Sequence, residues 1–291
     1  MPRTIEEGFS DFNDKLKLIK TESDAVKSHR ASIEACLKSN FGMDRFFRTG
    51  SIGNGTNVAS YSDTDYFAGI PRVNLKENSL TTLRQVKEAL EERFSTTKGI
   101  HISSPAVVVP FGTAKSETTE IIPVDFIKTE NNVNIYDIPD GDGGWMRSSP
   151  KAQNDYVTKI NSELSFKVKP LIRFIKAWKF YNNVPVLSFY LEMRVAKYAS
   201  EEKSIVYSID IKNIFSRLIN IDLASMNNPA GIPGSIVPCK SEIAKADALS
   251  KLNTAYTRVC KAREAEEKGD ISDAFYWWNL LFDGKFPSYY K

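Results

Sequence analysis

The sequence is poor in the residues that build zinc modules and disulfide frameworks. It has three cysteines and two histidines in 291 residues, and none of them lies at a CxxC or HxxxH spacing. A structural zinc site needs a close set of such ligands. We therefore expect no structural zinc module and reduced thiols.

Long apolar runs are also missing. A membrane-spanning helix needs about 20 consecutive apolar residues, and no segment of the sequence approaches that length. The first residues, MPRTIEEGFSDFNDK, lack the apolar core of a signal peptide. These absences predict a cytoplasmic protein with no membrane partner.

The sequence lacks a strong excess of either charge. Basic residues number 39 and acidic residues 36, which gives a formal net charge of +3. Proteins that coat polynucleotides concentrate basic residues on one face or in a tail. We therefore expect no strong nucleic-acid footprint, while a small polyanionic substrate stays compatible with this balance.

Hydrophobic periodicity predicts two lobes. The first lobe is predicted to contain a long helix over 9–38, a glycine-rich loop that feeds a strand, a helix at 79–94, and an antiparallel hairpin of 101–111 and 119–127. The segment 137–150 is rich in Gly, Pro and Asp and predicts a linker. The second lobe has predicted helices at 151–163, 165–181, 186–199, 208–220, 241–268 and 271–282. The chain therefore divides into an α+β core over 1–145, which includes the long first helix, and an α-helical lobe over 146–291.

Three aspartates carry the pattern that indicates chemistry. Asp63 and Asp65 are two residues apart at the start of a predicted strand, so both carboxylates should lie on one face. Asp125 lies in the apolar run IIPVDFI, where an unpaired carboxylate would be costly, so we expect a cation or a hydrogen-bond partner. Nucleotidyl transfer uses carboxylates that hold two magnesium ions. Taken singly, each aspartate also fits a solvated strand end or a capping role.

Gly50 and Ser51 lie upstream of this pair in a loop rich in glycine and hydroxyl groups. Glycine lets backbone N–H groups approach phosphate oxygens, and the serine adds a hydroxyl donor. A Gly-Ser pair alone is most often a turn. Its position before the aspartates favours triphosphate binding.

The helical lobe also carries candidate phosphate and base contacts. Lys169, Arg173 and Lys176 are offset by four and three residues and form one stripe, either a solvated face or a phosphate-binding one. Ser188 and Phe189 fall near the start of the next predicted helix. There a hydroxyl could meet phosphate while the ring stacks on a base, although a cap followed by a core aromatic fits the same letters.

Together these motifs resemble a known family. GSIGNGTNVASYSDTDYF is similar to the GS…DxD signature of the polymerase-β-like nucleotidyltransferases, and IIPVDFI resembles the strand that carries their third carboxylate. The segment KPLIRFIKAWKFYNNVPVLSFYLE resembles the helix pair of the oligoadenylate synthase and cGAS branch. With the closing DAFYWWNLLFDGKFP, the chain resembles the bacterial cGAS/DncV-like nucleotidyltransferases (CD-NTases), of the CdnE-like type.

The resemblance implies a fold and a metal site. The fold is a polymerase-β-like core, a mixed sheet with helices, followed by a C-terminal α-helical lobe, with the active site in the cleft between them. Two Mg²⁺ ions, for which Mn²⁺ can substitute, would be held by Asp63, Asp65 and Asp125. Asp125 would also help to orient and deprotonate the acceptor ribose hydroxyl.

The resemblance also implies the substrate contacts. The triphosphate would be contacted by Gly50, Ser51, Lys176 and Ser188, and Phe189 would stack on a base. The motif at 176–178 is KAW where pyrimidine-selective members have (R/Q)xW, which favours purine substrates.

The implied activity is the condensation of ribonucleoside triphosphates into a cyclic di- or trinucleotide second messenger, with release of pyrophosphate. The product would activate a separate effector protein in CBASS anti-phage defence, and we expect a monomer. Two alternatives stay open. One is an enzyme that makes linear oligonucleotides or nucleotidylates a small molecule or a protein, and the other is an inactive nucleic-acid-binding scaffold.

Overall fold

The computed structural model describes residues 3–17, 24–59, 64–112 and 117–290. Its helices are α1 (Ile5–Lys17), α2 (Asp24–Phe41), α3 (Gly50–Asn54), α4 (Ser79–Arg93), α5 (Pro150–Glu163), α6 (Val168–Tyr181), α7 (Ser188–Ala199), α8 (Tyr207–Asn220), α9 (Glu242–Glu267) and α10 (Ile271–Leu281). Its strands are β1 (Arg45–Arg48), β2 (Thr64–Gly69), β3 (His101–Ser103), β4 (Ala106–Phe111), β5 (Glu117–Glu130), β6 (Val133–Pro139), β7 (Trp145–Ser148), β8 (Met226–Asn227) and β9 (Ser235–Ile236). The α+β class is confirmed, because a mixed sheet precedes a helical region.

The long strand β5 organises the sheet. Its first half lies between β2 and β4, and its second half pairs with β6, which in turn pairs with β7. The pairing of β2 with β5 is parallel, whereas β1 with β2, β4 with β5 and β5 with β6 are antiparallel. The antiparallel hairpin predicted from 101–111 and 119–127 is confirmed by the β4–β5 pairing.

The two faces of the sheet are covered differently. One face packs through Ala68 and Ile121 against α2 and α4, whose contributions include Leu37 and Leu83. The other face carries a smaller apolar cluster formed by Phe67, Ala106, Ile122, Val124, Tyr136 and Ile138. Because side chains alternate along a strand, odd-numbered residues of β2 and even-numbered residues of β5 share this second face.

The first helix belongs to the core of the helical lobe. Phe9 of α1 lies 5.1 Å from Phe174 and 4.9 Å from Trp278 between ring centroids, and Phe12 lies 4.6 Å from Phe282. These rings are almost completely buried. The helix predicted over 9–38 is described as α1 and α2, which pack into different cores, and residues 18–23 between them lie outside the described part of the chain.

The helices of the second lobe start and end close to their predicted limits. Asp270 caps α10 by accepting a 3.0 Å hydrogen bond from the backbone N–H of Asp273. The predicted linker at 137–150 is wrong, because β6 and β7 form a hairpin there and the turn between them spans 140–144. The predicted lobe boundary at 145/146 falls inside β7, and the change to helix comes at Ser149, which caps α5. Within the described ranges, no helix combines the length and the apolar character needed to cross a membrane.

Candidate active site

Gly50 and Asp65 meet at the start of β2. The backbone N–H of Thr49 donates a 2.9 Å hydrogen bond to the carbonyl of Asp65, which ties the turn before α3 to the strand. Gly50 has a φ of +66°, and a Cβ placed on it would lie 1.8 Å from Oδ2 of Asp65. Only glycine tolerates both the positive φ and this approach. Gly50 therefore lies directly against Asp65, and the triphosphate contacts of Gly50 and Ser51 stay predictions.

Glu120 lies beside Asp65 on the neighbouring strand. The parallel register pairs Asp65 of β2 with Glu120 of β5, and paired residues on adjacent strands project to the same face. Both side chains are only partly buried, and they share the face that carries Phe67 and Ile122. Carboxylate oxygens are the ligands that Mg²⁺ prefers. The donor chemistry of this pair therefore fits a divalent cation.

Glu120 is not among the site residues predicted from the sequence. The sequence TEIIPVDFI does contain a signal. Glu120 is two residues before Ile122, so both side chains point to one face of the strand, whereas Asp125 points to the other face. What the sequence could not provide was the register, which requires knowing that β2 and β5 run parallel.

The structure does not bring Asp125 to Asp65. Asp125 is five residues beyond Glu120 on β5, a separation of roughly 16 Å along the strand. Its odd number also places it on the opposite face, the one covered by α2 and α4. The metal and catalytic role predicted for Asp125 is therefore corrected: it cannot bind the same ions as Asp65.

A local charge network explains the buried carboxylate of Asp125. Its cross-strand neighbour is Asp137, which forms a 2.7 Å ion pair with Arg147. Burial raises the pKa of Asp125, the positive charge of Arg72 opposes that rise, and the carboxylate of Asp137 adds to it. Arg72 and Arg147 place positive charge near Asp125, and the cation or hydrogen-bond partner expected for its carboxylate stays a prediction.

Asp63 lies in the segment 60–63, outside the described residues. Among the residues that the structure describes, no three His, Cys, Asp or Glu side chains group as a metal site. Asp65 and Glu120 are therefore the described members of the candidate site, and the metal-binding role of Asp63 stays a prediction.

Lys176 is buried between α6, α7 and the segment that follows α3. Its side chain is 2% exposed, and its ammonium lies 3.0 Å from Oε2 of Glu192 on α7 and 3.3 Å from the hydroxyl of Thr56. The triphosphate contact predicted for Lys176 is corrected, because its charge is already neutralised inside the protein. The basic stripe to which it belongs is largely an internal feature, since Arg173 is also buried.

Ser188 begins α7 and receives a hydrogen bond from Lys179. The ammonium of Lys179 lies 2.7 Å from the hydroxyl oxygen of Ser188. Lys179 stands three residues after Lys176 in KAWK, so it was visible in the sequence, yet nothing there distinguished the buried lysine from the partly exposed one. Phe189, the next residue, is 39% exposed, which leaves its ring accessible.

A sequence model described as the second messenger oligonucleotide or dinucleotide synthetase domain matches residues 3–161. The chain belongs to this family. It is therefore a nucleotidyltransferase enzyme whose family produces nucleotide second messengers. The resemblance to cGAS/DncV-like nucleotidyltransferases is confirmed.

Known relatives cover most of this synthetase. A probable cyclic nucleotide synthase of Bacillus cereus is 24% identical over 253 residues, which cover 81% of this chain and 75% of the relative. The fold is similar to that of the Vibrio cholerae cyclic AMP-GMP synthase DncV, with a TM-score of 0.74, 15% identity, and coverage of 99% of this chain and 97% of the other. It is also similar to Escherichia coli MS115-1 CdnC, with a TM-score of 0.72, 17% identity, and coverage of 97% and 98%.

Replacing Gly50 should disable the synthetase. In Gly50→Ala, the new methyl group must displace the Asp65 carboxylate, and the positive φ adds about 1–2 kcal/mol of strain. We expect nucleotide-dependent pyrophosphate release to fall by about 100-fold. Gly53→Ala is the matched control in the same short helix, because its Cβ would have no neighbour closer than 3.8 Å. Equal activity of the two variants would contradict the assigned approach of Gly50 to Asp65.

Proposed function

We propose that this enzyme joins ribonucleoside triphosphates into a cyclic di- or trinucleotide and releases pyrophosphate. The observation that carries the proposal is the pairing of Asp65 with Glu120 on one face of the sheet, directly against the Gly50 turn. Relatives support the cyclic product: the B. cereus protein is named a probable cyclic nucleotide synthase, and V. cholerae DncV was solved with a linear intermediate, pppA(3′,5′)pG.

Asp63, Asp65 and Glu120 form the proposed cation site. Its donors are all carboxylate oxygens, which suits two Mg²⁺ ions and also Mn²⁺. Bound there, such ions would neutralise the triphosphate and stabilise the charge that develops on the departing pyrophosphate. Glu120 takes over the position that the sequence analysis gave to Asp125.

The remaining residues place the substrates. Gly50 lets the backbone approach the phosphates, and Ser51 adds a hydroxyl beside it. Lys179 and Ser188 present a cation and a hydroxyl at the start of α7, a combination suited to phosphate oxygens. The exposed ring of Phe189 is available to stack on a base.

Glu120 orients the acceptor ribose hydroxyl and accepts its proton. The hydroxyl oxygen then forms a bond to the α-phosphorus, the bond between the α- and β-phosphates breaks, and pyrophosphate leaves. A second reaction on the linear intermediate closes the ring.

The biological setting follows from the product. We propose that a monomeric, cytoplasmic enzyme makes a signal that activates a separate effector protein in CBASS anti-phage defence. CdnC of E. coli MS115-1 was solved in a complex with a HORMA protein, which supports protein partners for enzymes of this fold.

The product decides between the candidate functions. The enzyme is incubated with Mg²⁺ and an equal mixture of the four ribonucleoside triphosphates, treated with phosphatase, and the products are identified by mass spectrometry. We expect a product whose mass is the same with and without phosphatase treatment, because a cyclic nucleotide has no terminal phosphate to lose. Products that lose terminal phosphates would indicate a linear oligonucleotide synthase instead. Absence of any product together with RNA binding in a mobility-shift assay would indicate an inactive scaffold.

The two acidic residues of β5 should behave oppositely. Glu120→Gln keeps the shape of the side chain but removes its charge beside Asp65, so we expect pyrophosphate release to fall by about 100-fold or more. Asp125→Asn lies on the other face of the sheet and should keep turnover within about threefold of wild type. Thermal unfolding of both variants controls for folding. Loss of turnover in Asp125→Asn alone would contradict the assignment.

A further inference from the structure

Buried polar side chains join the helical lobe to the segment that follows α3. We call this group the lobe clamp; its members are Asn54, Thr56, Asn57, Arg173, Lys176 and Glu192. Each of them is less than 9% exposed, although all are polar or charged. Three come from the first lobe and three from α6 and α7, so the clamp crosses between the lobes.

Glu192 is the centre of the clamp. Its two carboxylate oxygens accept hydrogen bonds from the amide of Asn54, from the hydroxyl of Thr56 at 2.7 Å, and from the ammonium of Lys176 at 3.0 Å. Burial alone would raise the pKa of Glu192, but Lys176 and the hydrogen bonds outweigh it and keep this pKa below its usual range. Glu192 is therefore charged, and two of its three partners lie on the first lobe.

The side chain of Arg173 binds backbone carbonyl groups of the same segment. Its guanidinium donates to the carbonyl of Gly55 at 2.7 Å, to the carbonyl of Asn57 at 2.9 Å, and to the side chain of Asn13 on α1 at 2.6 Å. Three directions of contact fix a planar fork more firmly than a single bond would. Together, Arg173 and Glu192 grip residues 54–57 through both side chains and backbone.

A buried ion pair of this kind is a poor source of stability. Removing two charges from water is costly, and well-packed apolar residues of similar volume usually stabilise a core as well or better. We therefore look for the role of the clamp in the element that it positions. Its far end is the five-residue helix α3, which begins at Gly50 against Asp65 and ends at Asn54 against Glu192. One turn of helix separates the clamp from the cation site.

We propose that Glu192 is a positioning residue for nucleotidyl transfer, because its bonds to Asn54 and Thr56 fix the far end of α3 and thereby hold the Gly50 turn against Asp65. The expected loss of activity rests on the proposed function. The expected loosening of the Gly50 turn rests only on the contacts of Glu192. It also makes the placement of the phosphate-facing turn depend on the helical lobe.

Thr56→Val tests the proposal with little change in shape. It removes the hydroxyl that donates to Glu192 and accepts from Lys176, while the charged pair itself remains. Glu192→Gln is the stronger variant but leaves the Lys176 charge buried without its partner, so it serves as a second measurement only if it folds. The matched control is Tyr198→Phe, which removes a 2.5 Å hydrogen bond to buried Asp210 between α7 and α8.

Hydrogen exchange measured by mass spectrometry reports how firmly the turn is held, because exchange requires local opening of the backbone. Thr56→Val should speed exchange in a peptide spanning 49–57 and leave a peptide from α8 unchanged, whereas Tyr198→Phe should do the reverse. Apparent kcat and KM come from pyrophosphate release against total ribonucleoside triphosphate. We expect kcat/KM to fall about tenfold in Thr56→Val and to stay at the wild-type value in Tyr198→Phe.

Faster loop exchange with wild-type kinetics in Thr56→Val would overturn the positioning role, and so would wild-type exchange. An equal kinetic loss in Tyr198→Phe would reduce the effect to general destabilisation and also overturn it. If the wild-type enzyme releases no pyrophosphate, the proposed function fails. Hydrogen exchange alone then tests whether Glu192 holds the turn in place. Faster exchange at 49–57 in Thr56→Val supports that role, and unchanged exchange overturns it.

Discussion

The parallel hydrogen-bonded pairing of β2 with β5 determines which acidic residues can act together. It places Glu120 beside Asp65 and carries Asp125 to the face of the sheet that α2 and α4 cover. A shift of one residue would exchange these faces, because side chains alternate along a strand. The chemistry of the synthetase thus depends on a backbone register that the apolar residues of both faces specify.

The helical region also holds the segment that follows α3. Arg173 and Glu192 hold the segment after α3, while α1 places its aromatic rings in the core of the same lobe. The Gly50 turn is therefore held from two sides, by the strand that carries Asp65 and by the lobe clamp. This arrangement links the position of α6 and α7 to the geometry of the Gly50 turn.

Much of the fold could be predicted from the sequence, because helical periodicity and caps such as Asp270 are local signals. The acidic motif, Gly50 and the family resemblance could also be recognised, because they too are local patterns in the sequence. Glu120 and Asp125 could not be told apart, since their difference lies in the pairing of strands distant in sequence. Lys176 and Lys179 posed the same difficulty: both stand on one helix, and only tertiary packing buries Lys176 against Glu192 while it leaves Lys179 beside Ser188.

The proposed cation site lies at Asp65 and Glu120, on the face of the sheet that meets the Gly50 turn. Anomalous X-ray scattering from crystals grown with Mn²⁺ and a non-hydrolysable ATP analogue would locate the ions directly. We expect Mn²⁺ peaks at about 2.0–2.3 Å from carboxylate oxygens of Asp65 and Glu120, with none at Asp125. A peak coordinated by Asp125, with Glu120 free of metal, would contradict it.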